Sequence, residues 1–181
     1  MTKERLFAID GAVTADADAE ASAVWEAVVD IDSSPQFISP IVSVERIGGS
    51  RKGDPLVVGT KWIEVRQYKK KTIVMTKTIT AVSSNDSAYP RTFSVNMDYG
   101  EGHNNIANTG TITVSPAHTS KDDGTTGTQL SGTFAAISGR FWTNLFWLLC
   151  GRPIRKKARN LFRNELQEIG QEAERRISMP N

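Results

Sequence analysis

Hydrophobic positions along this chain follow two rhythms. Between residues 41 and 137 they alternate with polar ones, and after residue 141 they recur every three or four positions. Alternation predicts half-buried strands, because successive strand side chains point to opposite faces, whereas the longer step predicts an amphipathic helix. The clearest alternating run is Phe93, Val95, Met97 and Tyr99 against Ser94, Asn96 and Asp98. Ile73, Met75 and Ile79 likewise oppose Thr72, Thr76, Thr78 and Thr80, giving a strand over 72–82 with one wet side. Further strands are expected at 9–15, 41–47, 59–68, 106–114 and 128–137. Breakers such as Gly48-Gly49, Asn85-Asp86, Gly100-Glu101-Gly102 and Asp123-Gly124 separate them.

Two short helices are expected after the first strand. Asp18 to Asp30 opens on acidic residues and places Val24, Trp25, Val28 and Val29 on one face. Ser33-Ser34-Pro35 then sets a cap and a proline at the first helical position, and Pro40 ends that segment. At the other end of the chain, Ala158, Leu161, Phe162, Leu166, Ile169, Ala173 and Ile177 form an amphipathic stripe. Phe141 to Leu149 is denser in apolar residues. Gly151-Arg152-Pro153 lies between the two stretches, and a proline there predicts a kink or break.

A long meander must curve, and its apolar face needs a cover; only the final helix is long enough. The segment ADAEASAVWEAVVDIDSSPQFISPIVSVERI, the Gly-led strand VVGTKWIEVR and the closing RNLFRNELQEIGQEAE together resemble the SRPBCC superfamily, which includes START, polyketide cyclase and birch-pollen-allergen-like proteins. The resemblance spans about residues 9–177. It implies an α+β helix-grip fold: a curved antiparallel sheet of about seven strands around a long C-terminal helix, in one ligand-binding domain preceded by a loose lead-in at 1–8. It also implies a cavity between sheet and helix for a lipid, sterol, polyketide or quinone. Some relatives are enzymes and many only bind and carry, and no shared catalytic constellation transfers to named positions.

Composition narrows the remaining choices. A net charge of +2 gives no global attraction to nucleic acid, and no nucleic-acid motif accompanies it. Cys150, the one cysteine, forms neither an internal disulfide nor a thiolate metal site. His103 and His118 fall in turns at opposite ends of the meander, so no metal site and no cofactor are expected. The absence of a signal-like start and of an apolar run long enough to span a bilayer points to the cytoplasm.

Candidate ligand-binding positions are Trp62, Met75, Phe93, Met97, Tyr99 and Phe134 on the sheet, opposite Phe141, Trp142 and Leu145 on the helix. The third strand is the unusual one: Trp62, Glu64, Arg66 and Tyr68 share one face and Ile63 and Val65 the other. The slightly preferred orientation puts Ile63 and Val65 in the core and leaves the Trp62 face solvated. In the alternative, Glu64 and Arg66 lie inside, where they pair or orient a ligand; a buried unpaired Glu64 would have a raised pKa suited to a general acid. Lys77 poses the same question on the Ile73 face: it lies inside, or it ends that face at the rim.

Binding or transport of a small apolar or amphipathic ligand is therefore the leading expectation. A cyclase- or dehydratase-like enzyme using Glu64 with Arg66 or Tyr99 is the second. The third is a protein-interaction module using the cavity rim with Trp142 and Trp147. The basic residues Arg152, Arg155, Lys156, Lys157, Arg159 and Arg163 follow the apolar 141–149 block, so Phe141–Arg163 also suits peripheral contact with an anionic membrane.

Overall fold

The computed structural model describes residues 8–100, 106–117, 127–138 and 141–179. Seven strands form one antiparallel sheet: β1 (Ala8–Ala17), β2 (Ile41–Ile47), β3 (Lys61–Tyr68), β4 (Lys71–Val82), β5 (Arg91–Asp98), β6 (Ile106–Ala117) and β7 (Gly127–Ser138). Strands β2 to β7 run as a meander, and β1 closes onto β7, giving the order β1-β7-β6-β5-β4-β3-β2. Helix α1 (Ala21–Val29) follows β1, and α2 (Phe141–Ser178) ends the chain. This is the α+β helix-grip arrangement. Register irregularities between Ile41 and Ser43 and between Ile79 and Ala81 interrupt the ladders, and such bulges bend a sheet.

Helix α1 buries Val24, Trp25, Ala27 and Val28, and the Trp25 indole N–H donates to Asn85 Oδ1 at 3.0 Å. The second expected helix is instead a single 3-10 turn, Ser34–Gln36. Pro40 leaves too few residues after Pro35 to repay helix nucleation, and short segments of this kind settle for i to i+3 bonds. The backbone N–H groups of Gln36 and Phe37 donate to the carbonyls of Ser33 and Ser34 in that pattern.

Helix α2 continues through Pro153, correcting the expected break. Pro153 is exposed on the face away from the sheet, where water can satisfy the carbonyl its ring deprives of a partner. The helix lies along β1 and β7. Glycines permit this approach: a Cβ on Gly132 would stand 2.6 Å from the Phe162 ring, and one on Gly170 would stand 3.0 Å from the Ala17 Cβ. Below the helix, Val13, Val114, Leu130, Leu166, Ile169 and Ala173 join Trp25 and Phe93 in one buried cluster.

Candidate functional site

Strand β3 resolves the ambiguity of its two faces. Trp62, Glu64 and Arg66 are only 2%, 3% and 6% exposed, while Ile63 and Val65 are half-buried on the other side. The charged face therefore points inward, the reverse of the preferred expectation. The registers explain what meets it there. Trp62 pairs across to Lys77 and Glu64 to Met75 on β4, and Lys77 in turn pairs to Met97 on β5. Residues opposite one another in a ladder share a face, so Lys77 lies beside the β3 charges. It is 9% exposed, and does not end its strand at the rim.

Four ionisable side chains meet in this space. Lys77 Nζ lies 2.8 Å from Glu64 Oε2, and Arg66 Nε donates to Glu64 Oε1. The Arg66 guanidinium also grips Glu165 of α2 with two parallel bonds, Nη2 to Oε1 at 2.5 Å and Nη1 to Oε2 at 2.9 Å. Such a fork is a strong, charge-assisted geometry. Tyr68 Oη accepts from Arg66 Nη1 at 3.1 Å, and the Trp62 indole N–H points to Glu64 Oε2 at 3.4 Å.

The titration of these groups follows from their neighbours. Burial alone would raise the Glu64 carboxyl, but Lys77 and Arg66 outweigh it and hold the group at about 2. Glu64 is thus an ionised, paired carboxylate, and the general-acid role expected of an unpaired one does not apply. Burial lowers the Lys77 ammonium, with Glu64 opposing. Arg66 is raised: burial acts to lower it, and the carboxylates of Glu165 and Glu64 prevail. Burial raises the Tyr99 phenol, which lies within electrostatic reach of Arg66.

The other expected site residues distribute around this cluster. Met75 and Phe93 are buried and Met97 and Tyr99 half-buried, with the Phe93 ring stacked on Trp62 at 6.4 Å between centroids. Phe134 lies elsewhere, edge-on to Phe162 at 6.0 Å beneath the helix. Phe141, Trp142 and Leu145 belong to α2, but their side chains lie outside the described residues, as do His103 and His118 altogether. The sequence reading missed Glu165 because it sits just beside the Leu161-Phe162-Leu166 stripe, where a glutamate reads as solvated. Lys77 was visible as a charged residue on an apolar face, and the pairing of Trp62 with Lys77 decides its orientation.

A hollow of about 440 Å³ lies at the opposite end of β3 and β4, bounded by Val29, Leu56 and Val82 and by Asp30, Asp32 and Arg46. Its charges are satisfied: Asp32 pairs with Arg46 and Asp30 with Arg176, each at 2.7 Å. Along α2, Arg152, Lys156, Arg159 and Arg163 are all exposed, the Arg159 stem lying close to Gly11 of β1. Among the described residues no cluster of His, Cys, Asp and Glu could hold a metal, and no helix is long and apolar enough to cross a membrane.

A curved sheet gripping a long helix, with polar groups on an otherwise apolar inner face, defines an SRPBCC-type protein. The chain belongs to the polyketide cyclase / dehydrase and lipid transport family, which matches residues 8–174. Members of this superfamily bind hydrophobic ligands or act as cyclases. Among solved structures it is similar to the ZhuI aromatase/cyclase of Streptomyces sp. R1128, at 15% identity and a TM-score of 0.60 over 94% of this chain and 96% of that one. It is also similar to the di-domain aromatase/cyclase StfQ of the steffimycin pathway, at 12% identity and a TM-score of 0.68; the match covers 98% of this chain and 54% of StfQ. Norcoclaurine synthase from Thalictrum flavum matches at 13% identity and a TM-score of 0.60, over 94% of this chain and 97% of the synthase. No curated protein matches the chain in a sequence search.

Because Glu64 titrates near 2 in the fold and at 4.5 unperturbed, its ionisation favours folding above pH 4.5, and that contribution is lost as pH falls toward 2. The difference corresponds to roughly 3 kcal/mol. Urea denaturation of wild type and Glu64→Gln from pH 6 to pH 2 should show the stability gap between them narrowing by about that amount. A gap that does not change with pH would contradict the ion-paired assignment.

Proposed function

We propose that this protein binds a small apolar or amphipathic molecule between the sheet and α2, with its polar end at the Glu64–Arg66–Lys77–Glu165 cluster. The supporting observation is the cluster itself. Three buried ionisable groups with a half-buried fourth are a poor stability device, since an apolar set of similar volume is commonly as stable or more so. Ligand pockets, in contrast, combine mostly apolar walls with a few polar groups that fix orientation. Trp62, Met75, Met97 and Phe93 supply such walls, and burial of ligand surface at about 25 cal/mol per Å² drives binding before ordering costs.

A cyclase- or dehydratase-like step is the second reading. It falls to Lys77 rather than Glu64, because burial makes the ammonium a better proton donor while Glu64 stays ionised. Native mass spectrometry of freshly purified protein separates these possibilities. A co-purifying apolar molecule, returned unchanged when incubated with stripped protein, is the expected result. Loss of one water from it would mark the enzyme, and protein with no bound molecule and no uptake of apolar probes would contradict both.

The exposed basic stripe supports loading at an anionic membrane surface. Arg152, Lys156, Arg159 and Arg163 span about 16 Å along α2, and no acidic residue occurs from 141 to 164. Each basic side chain near such a surface contributes about 1 kcal/mol. Wild-type protein should sediment with phosphatidylserine-containing vesicles at low salt and be released at high salt. Substituting all four with glutamine should abolish this. Equal sedimentation with phosphatidylcholine alone, or none with either, would end the membrane proposal.

A further inference from the structure

The bonding state of the buried cluster bears on the kind of polar group it accepts. Arg66 and Lys77 carry two positive charges and Glu64 and Glu165 two negative ones, and three ion pairs link them into a set with no net charge. A ligand bearing its own charge would therefore leave one unit uncompensated beside side chains that are almost wholly buried, an arrangement that carries a large desolvation penalty.

The hydrogen-bond inventory points the same way. Four of the five guanidinium N–H groups of Arg66 are committed, one to Glu64, two to Glu165 and one to Tyr68. Both Glu64 oxygens already accept, Oε1 from Arg66 and Oε2 from Lys77 and Trp62. Lys77 has three N–H groups and, among the described residues, one partner, Glu64. The unfilled capacity on Arg66 and Lys77 thus consists of donors, one N–H of the guanidinium and those of the ammonium, on side chains 6% and 9% exposed. The strand registers place Trp62 and Met97 opposite that lysine on the two neighbouring strands, so apolar side chains border the charged cluster.

We infer that the cluster is a charge filter: it accepts an uncharged hydrogen-bond acceptor, such as a ketone, quinone or ester carbonyl, on Lys77 Nζ and rejects carboxylates and phosphates of the same apolar length. This rests on the reading that the space beneath α2 binds ligand, and it narrows the ligand class within it. Lys77 is the residue that touches the acceptor. Glu165 acts through Arg66 by setting the net charge to zero.

The consequence has a sign that can be inverted. Removing the Glu165 charge leaves a net positive cluster, which should then favour an anion. The probe is displacement of Nile red by dodecanoate, methyl dodecanoate, 2-tridecanone and dodecane. For wild type, the ester and the ketone should displace at concentrations roughly tenfold or more below dodecanoate. In Glu165→Gln that ratio should fall by roughly tenfold or reverse. In the charge-conserving pair Lys77→Met with Glu64→Gln, the ketone should lose its advantage over dodecane. Circular dichroism of each variant confirms that the fold is retained. If dodecanoate equals or exceeds the ketone on wild type, or Glu165→Gln leaves the ratio unchanged, the charge filter is wrong while the binding space stands. If none of the four displaces the probe and the probe itself does not bind, the binding reading fails and the filter with it.

Discussion

The Arg66 guanidinium ties the inner face of the sheet to the helix that covers it. From β3 it reaches Glu64 on its own strand and, through a two-bonded fork, Glu165 on α2. The helix backbone rests on β1 and β7, where Gly132 and Gly170 let it come close. Toward β3, long charged side chains bridge the distance instead of interdigitated aliphatic ones. That difference is what gives the inner face a polar centre between apolar flanks.

A centre of this kind costs more to bury than a hydrocarbon one, and its partners come from three separate elements. Glu64 and Arg66 lie on β3, Lys77 on β4 and Glu165 on α2. Deleting one member leaves the remaining charges unbalanced, so a single substitution is expected to destabilise even where replacing the whole set by apolar residues does not. The same interdependence keeps Glu64 ionised against the effect of burial and leaves Lys77 with donors to spare. Binding chemistry and electrostatic balance are thus properties of the set rather than of one residue.

Much of the fold could be read along the chain because it is encoded locally. Alternation placed the strands, and Ile41–Ile47 appears with the bounds the pattern implies. The Leu166-Ile169-Ala173 stripe placed the buried face of α2. What failed depended on distant partners. Charges on Glu64 and Arg66 argue for solvent until Lys77 and Glu165 are known to meet them, and those contacts span 13 and 99 positions of sequence. Pro153 argued for a break until its place on the exposed side of α2 was known. The general-acid role was tied to an unpaired Glu64, and the pairing with Arg66 and Lys77 removes that condition.

The account holds that the buried ions serve recognition rather than stability. Its most direct test is the combined variant Glu64→Leu, Arg66→Met, Lys77→Met and Glu165→Leu, measured for thermal stability and for uptake of 2-tridecanone and dodecane. A folded protein with a melting temperature at or above wild type, holding the ketone no better than the alkane, is the predicted result. Collapse of the fold, or undiminished preference for the ketone, would contradict the account.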